Sequence, residues 1–206
     1  QKPIDYGRVA IKQLEQIVQI PAQDSPSNTK EEKSFDESEI SIKHYGSKVD
    51  LSKVKMNASD LGTLLHHCYH ALLVDENMQD RLFSSLETKL SIDVLNQMKT
   101  QINEFISYTK DEMIMQNIKC EVPILSKTKE GSVVSGSIDL LIETEEGYWI
   151  LDHKSDQVDD DGFSSQFVHH YPQLMSYVEF TKLDKPIIGI GINWIRYGMF
   201  SALRFV

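Results

Sequence analysis

The sequence predicts an α+β fold in which a helical N-terminal part precedes a mixed β-sheet. Three observations predict it. Apolar residues recur at helical spacing between positions 57 and 117, the period changes to that of strands after Asn117, and turn-forming residues separate the short segments that follow. The C-terminal half therefore reads as βββαββ, an order that packs helices against a sheet.

The helical part begins at Ser59 or Asp60, either of which can cap a helix. A second helical region, from about 78 to 117, carries enough apolar stripes for two helices. The apolar positions that support both regions are Leu61, Leu64, Leu65, Tyr69, Leu72, Leu82, Leu86, Leu90, Val94, Leu95, Met98, Ile102 and Phe105.

The strand-forming part has five strands and one helix. The strands are predicted at 120–127, 133–143, 148–155, 186–195 and 199–206, and the helix at 164–180. Turns are expected at 129–132, at 144–147 and around Arg196, Tyr197 and Gly198.

The first 56 residues are predicted to form a separate N-terminal arm, and residues 57–206 the main domain. The arm reads as a short helix followed by a polar segment. Residues 23–39 are rich in Ser, Asp, Glu and Lys and almost free of large apolar residues, so we expect a flexible linker there. Because the chain starts at Gln1, we also expect it to be a piece of a longer protein.

The composition is that of a globular protein, with 40% hydrophobic and 25% charged residues. No apolar run is long enough to span a bilayer, so no membrane partner is expected, and the low cysteine content fits a reducing cytoplasm. Two cysteines are too few for a disulfide framework or a four-cysteine iron–sulfur cluster, so no such cluster is expected. The net charge of -10 predicts weak binding to free DNA, because lysine and arginine supply most non-specific affinity.

Two acidic residues and a lysine stand out in the predicted hairpin of the second and third strands. Asp139 lies in the second strand, and Asp152 and Lys154 lie near the end of the third. Because side chains alternate along a strand, Asp152 and Lys154 share one face while His153 points to the other. The hairpin makes the two strands antiparallel neighbours, so Asp139 can lie across from Asp152.

Carboxylates and a lysine are costly among Ile, Leu and Trp unless a cation or hydrogen bonds compensate. Two carboxylates, a backbone carbonyl and waters suit Mg²⁺, which takes oxygen ligands in octahedral geometry. Such a metal would polarise a scissile phosphate, and Lys154 could position or deprotonate the attacking water. An isolated Asp-x-Lys triplet is more often a surface salt bridge, so its surroundings decide between the two interpretations.

The surrounding motifs resemble the PD-(D/E)XK nucleases, specifically their RecB/AddA-like branch. Gly-x-Ile-Asp at 136–139 and apolar-apolar-Asp-x-Lys at 150–154 flank the hairpin, and Gln-x-x-x-Tyr at 173–177 follows on a helix. A histidine after a Gly-Thr pair, at 62–66, matches the branch's N-terminal helix. The resemblance spans about 57–206, and four motifs in the correct order make it specific. It implies a restriction-endonuclease-like core.

The resemblance implies a role for each matching residue. His66, Asp139 and Asp152 would bind Mg²⁺ or Mn²⁺ through their side chains, and His153 through its carbonyl. Lys154 would be the catalytic lysine.

Further along the chain, the resemblance implies that Gln173 and Tyr177 support the lysine or contact DNA. Glu121 matches an acidic position that often precedes this core and is carried only as a group that acts indirectly. The activity implied is hydrolysis of DNA, most simply as an exonuclease fed with single strand by a UvrD-type helicase in repair or recombination.

Other interpretations of the same residues stay open. His67 is adjacent to His66, and only one of them can face the site. His66 and His70 share a helix face that could suggest zinc, but no matching cysteine pair or HExxH motif is present. An aspartate run at 159–161 suggests a calcium loop, but Gln157 and Val168 stand where ligands are needed.

The function also has two open alternatives. The domain could be an inactive nuclease fold that holds DNA or has a structural role, although such copies usually lose the acid pair or the lysine. It could also be a stand-alone endonuclease.

Overall fold

The computed structural model describes residues 35–74, 79–86, 89–127 and 133–205. After a short 3₁₀ turn at Glu37–Glu39, the elements follow as β1 (Ser41–His44), α1 (Ala58–Val74), α2 (Gln79–Leu86), α3 (Ile92–Asp111), β2 (Asn117–Lys127), β3 (Val133–Glu143), β4 (Tyr148–Lys154), α4 (Phe163–Phe180), β5 (Ile187–Trp194) and β6 (Met199–Arg204). None of the helices in these ranges is long and apolar enough to cross a membrane.

The strands form one mixed sheet of six, in the order β1-β6-β5-β4-β3-β2. β4 and β5 are parallel because α4 connects them as a crossover, whereas the other neighbours are antiparallel. The predicted βββαββ order, the α+β class and the helical part before it are confirmed. This arrangement agrees with the core that the resemblance implies.

The two faces of the sheet carry separate hydrophobic cores. Leu140, Leu151 and Phe200 face the helices α1 and α3, with Leu65 and Phe105 among their contacts. On the opposite face, a second cluster packs against α4 and includes Ile138, Ile150, Ile192, Trp194, Phe167 and Leu174. Alternation produces this division from Leu140 to Ile142, because successive side chains of a strand enter different cores. Ile138 lies in the second core although it is two residues before Leu140, so the alternation is broken at Asp139.

Strand β1 is the element that the sequence does not predict. Its four residues are all exposed, and they pair with β6 from Ser41↔Ala202 to His44↔Met199. Most of the expected linker and the helix before it lie outside the described residues, as does the turn predicted at 129–132. The boundary of the arm at residue 56 stays a prediction.

Two irregularities interrupt the ladders near the middle of the sheet. In the β2–β3 pair the register passes from Cys120↔Leu140 to Val122↔Ile138, and Glu121 between them has a φ of +50°. The β3–β4 ladder runs from Glu143↔Tyr148 only as far as Leu140↔Leu151. The strands therefore stop pairing immediately before Asp139 and Asp152.

Candidate active site

The candidate site lies where β3 and β4 stop pairing. Asp139 Oδ2 accepts a hydrogen bond of 2.7 Å from the backbone N–H of His153. The Asp139 carboxylate thus accepts the His153 N–H in place of a backbone carbonyl of β3. The backbone of one strand and the side chain of the other are held together across the opening.

Asp152 and Lys154 share a face of β4, as predicted, and α4 covers them. Lys154 Nζ lies 2.5 Å from Asp152 Oδ2 and donates to Gln173 Oε1 at 3.2 Å. Gln173 Nε2 donates to the hydroxyl of Tyr177 at 2.7 Å and makes a longer contact of 3.4 Å to Asp152 Oδ1. Because Gln173 and Tyr177 are four residues apart, they lie on the same side of α4. The structure brings four of the expected residues into one hydrogen-bonded group.

Helix α1 reaches the same opening from the other face of the sheet. His66 Nδ1 lies 3.4 Å from Asp139 Oδ2, and the side chain of His66 is 27% exposed. His67 is exposed, and both histidines line a cleft of about 410 Å³ together with Glu121 and Ser155. The contact with Asp139 therefore favours His66 over His67.

Burial governs the protonation of Asp139. Removal from water and then the nearby charge of Asp152 raise the pKa of Asp139 to about 8, against the lowering effects of the His153 N–H and Lys154. A carboxylate with this pKa carries a proton at neutral pH unless a cation is supplied. Two acidic side chains close enough to repel each other are an unfavourable arrangement by themselves.

The pKa values of the two basic groups, Lys154 and His66, shift in opposite directions. Burial alone would lower the pKa of Lys154, but the charge of Asp152 and the hydrogen bond to it raise that pKa overall, so the side chain is an ammonium at neutral pH. Burial lowers the pKa of His66, against the opposing charge of Asp152. A neutral imidazole is the form that binds metal ions.

The donor set fits a hard divalent cation. Oδ2 of Asp152 is buried and has no hydrogen bond of acceptable geometry within the part of the chain that the structure describes, although Lys154 forms an ion pair with it. A cation near Asp139 and Asp152 would relieve their repulsion, and Oδ2 of Asp152 could bind it in place of Lys154. Within the same described residues, no three His, Cys, Asp or Glu side chains already converge on one point. The carboxylates would therefore have to turn toward the ion.

Several other sequence candidates occupy ordinary structural positions. Tyr171 lies on α4 and is buried in the core on that face of the sheet. Residues 159–161 are exposed and lie in the loop before α4. Glu121 accepts a hydrogen bond of 2.9 Å from Ser137 Oγ, and its charge contributes to raising the pKa of Asp139, so it lies at the edge of the site.

A polar group that the sequence pattern does not predict lies behind the site. The imidazole of His153 is buried, and its Nδ1 lies 3.0 Å from the side-chain nitrogen of Asn193 on β5. Tyr45, just after β1, donates to Asn193 Oδ1 at 2.7 Å. The signal available in the sequence was Asn193 itself, an amide within the apolar run Ile187–Trp194.

Comparison with known proteins bears on this geometry in two ways. No curated protein matches the chain by sequence. The family model of the PD-(D/E)XK nuclease superfamily matches residues 43–187, which is more than half of the chain and contains Asp139, Asp152, Lys154, Gln173 and Tyr177. With the mixed sheet, the parting strands and the paired acids already described, this chain belongs to the PD-(D/E)XK nuclease superfamily.

Proposed function

We propose that this protein is a metal-dependent DNA nuclease that hydrolyses phosphodiester bonds at Asp139, Asp152 and Lys154. One observation carries the proposal: the buried Asp152 and the half-buried Asp139 both lie where β3 and β4 part, with a lysine held 2.5 Å from Asp152. The pKa of about 8 for Asp139 supports the proposal. Burial and the charge of Asp152 disfavour the ionised form of Asp139, and a bound cation would remove that penalty. Superfamily membership supports the reaction class.

Mg²⁺ or Mn²⁺ would be held by Asp139 and Asp152, with the His66 side chain and the His153 carbonyl as further ligands. When bound, the ion supplies a Lewis acid that withdraws charge from a phosphate oxygen. His66 lies 3.4 Å from Asp139, which is a suitable position for a group that joins the same ion. The N–H of His153 fixes one oxygen of Asp139 and so limits how that carboxylate can turn.

Lys154 acts in this proposal as an ammonium. Its raised pKa makes it a poor base, so we assign it to orienting the attacking water and to stabilising negative charge on the phosphate. Gln173 holds Nζ of Lys154 at 3.2 Å, and Tyr177 holds Gln173 at 2.7 Å. Gln173 and Tyr177 therefore limit where the positive charge lies, and the partly exposed Gln173 can meet the DNA strand.

The wider setting is also proposed. A net charge of -10 makes capture of free DNA unfavourable, which fits an exonuclease that receives a single strand from a linked helicase. We infer that residues 57–206 are the nuclease domain of a RecB/AddA-type enzyme with a UvrD-type helicase. It would work in the cytoplasm, in DNA repair and recombination, without an iron–sulfur cluster.

The test is cleavage of end-labelled single- and double-stranded DNA with Mg²⁺, Mn²⁺ or EDTA. We expect metal-dependent shortening from an end, and loss of at least about a hundredfold in rate for Lys154→Ala. Lys185→Ala is the matched control, because Lys185 also pairs with a carboxylate, Glu143 at 2.7 Å, but away from the site.

Full activity in Lys154→Ala would contradict the proposed chemistry. Circular DNA distinguishes the alternatives: cutting of a closed circle would indicate an endonuclease. If the chain cuts no DNA either alone or when joined to its natural neighbours, it is an inactive module.

A further inference from the structure

A buried polar chain connects the active-site strand to the helical layer. It begins at the ring of His153, passes through Asn193 to the hydroxyl of Tyr45, and continues to Tyr69, whose hydroxyl lies 3.2 Å from that of Tyr45. Tyr69 donates to Gln101 Oε1 at 2.5 Å. Asn193 and Gln101 are both completely buried, so each polar contact replaces one that water would otherwise provide.

The buried polar chain ends at the backbone of Ser47, which two side chains of α3 hold in place. Gln101 Nε2 donates to the carbonyl of Ser47 at 2.6 Å, and the N–H of Ser47 donates to Glu104 at 2.5 Å. Ser47 is thus bound to α3 through both its carbonyl and its N–H. The polar chain is anchored on α3 at one end and reaches the His153 imidazole at the other.

The ring of His153 is positioned in both orientation and protonation. The side-chain nitrogen of Asn193 can only donate, so Nδ1 of His153 accepts and the ring proton lies on Nε2. Tyr69 packs against the ring with centroids 4.9 Å apart, and His66 lies 5.7 Å away, edge to face. The ring thus touches the helix that carries His66.

The backbone of His153 needs such support. Its N–H binds Asp139 on the side where β3 no longer pairs, so that side gives no ladder to hold the strand. On the other side His153 is aligned with Asn193 of β5 in the parallel register. The side-chain contact to Asn193 lies directly behind the peptide that orients Asp139, and between Asp152 and Lys154 in sequence.

We propose that Asn193, anchored by Tyr45, is a positioning residue of the nuclease site, which holds His153 so that the 152–154 segment presents its N–H to Asp139 and its two charged side chains to the substrate. This inference rests on the proposed function. It assigns part of the site's geometry to Tyr45, which directly follows β1 and is far from the catalytic motifs in sequence.

The test compares Asn193→Leu and Tyr45→Phe with Ser201→Ala. Ser201 is a matched control because it is also completely buried in the sheet and accepts a hydrogen bond of 2.8 Å from Trp194, but has no contact with His153 among the described residues. In Asn193→Leu we expect amide hydrogen exchange at the His153 N–H to become about tenfold faster relative to its neighbours. We also expect kcat to fall about tenfold to a hundredfold with KM for DNA unchanged. Ser201→Ala should change neither.

The second variant covers the case in which Asn193→Leu does not fold. Tyr45→Phe keeps the ring that packs on Phe105 and removes only the hydroxyl, so about threefold changes in exchange and in kcat are expected. Equal exchange at His153 in the wild type and in the folded variants would overturn the inference, as would equal effects in Ser201→Ala. Hydrogen exchange is measured without DNA or metal. A chain that cleaves no DNA even when joined to its natural neighbours would therefore refute the proposed function and leave this test decisive.

Discussion

Replacing Asp139 with Asn should stabilise the protein in the absence of metal while it abolishes cleavage. Asn keeps an oxygen that can accept the His153 N–H and removes the charge that burial and Asp152 oppose. The pKa of Asp139 is raised from 3.8 to about 8, so the folded protein binds a proton there that the unfolded chain releases. Stability from this group is therefore complete below about pH 4 and falls as the pH rises toward 8.

The magnitude follows from that shift. About three pH units separate pH 7 from the ordinary pKa of an aspartate, and each unit is worth about 1.4 kcal/mol, which gives an upper bound of about 4 kcal/mol. Because Asp139 and Asp152 share the repulsion, we expect about half of that, or about 2 kcal/mol, from Asp139→Asn. For a chain of this size the melting temperature should rise by about 4 to 8 °C.

The assay is thermal unfolding in EDTA at pH 5.5 and pH 8, with and without added Mg²⁺. The gain from Asp139→Asn should be larger at pH 8 than at pH 5.5, and Mg²⁺ should stabilise only the wild type, because a ligand that binds the folded state raises its stability. Asp184→Asn is the control, since the hydrogen bond from Tyr148 lowers the pKa of this exposed residue. A melting temperature for Asp139→Asn no higher than that of the wild type at pH 8 would refute the reasoning.

Three further outcomes are expected. His66→Ala should raise the Mg²⁺ concentration needed for half-maximal cleavage at least about tenfold, and His67→Ala should not. Of the two histidines it is His66 that lies beside Asp139. Equal effects of the two substitutions would contradict the assignment of His66 as the metal ligand. Gln173→Leu should reduce kcat about tenfold, with folding unchanged by circular dichroism, because it removes one of the two contacts that hold Lys154 Nζ. Gly198→Ala should lower the free energy of unfolding, measured in urea, by about 2 kcal/mol or more. The reason is that Gly198 has a φ of +63° and an added Cβ would lie 2.0 Å from the Gly46 carbonyl oxygen. A loss below about 0.5 kcal/mol would count against this turn geometry.

The sheet was predictable from the sequence wherever a strand has a buried face. Strands β3 and β5 bury alternate or all side chains, so their composition carries the signal. Strand β1 has four exposed residues, and its position depends on pairing with β6 rather than on its own side chains. Local pattern cannot reveal an element whose stability comes from a partner more than a hundred residues away.

The candidate site divides in the same way. Alternation along β4 was enough to put Asp152 and Lys154 on one face and His153 on the other. The choice between His66 and His67 required the angle at which α1 approaches the sheet. The contact of Asn193 with His153 required the parallel register of β4 and β5, which α4 creates and no single segment encodes.

The irregularity at Glu121 has a consequence for behaviour in solution. Strand β2 is eleven residues long and lies at an edge of the sheet, so a regular β2 would offer another molecule a template for pairing. The left-handed backbone of Glu121 and the missing N–H of Pro123 interrupt that template, and both lie next to Leu125, which is 79% exposed. The backbone conformation at Glu121, at the edge of the site, therefore also makes β2 a poorer template for edge-to-edge pairing.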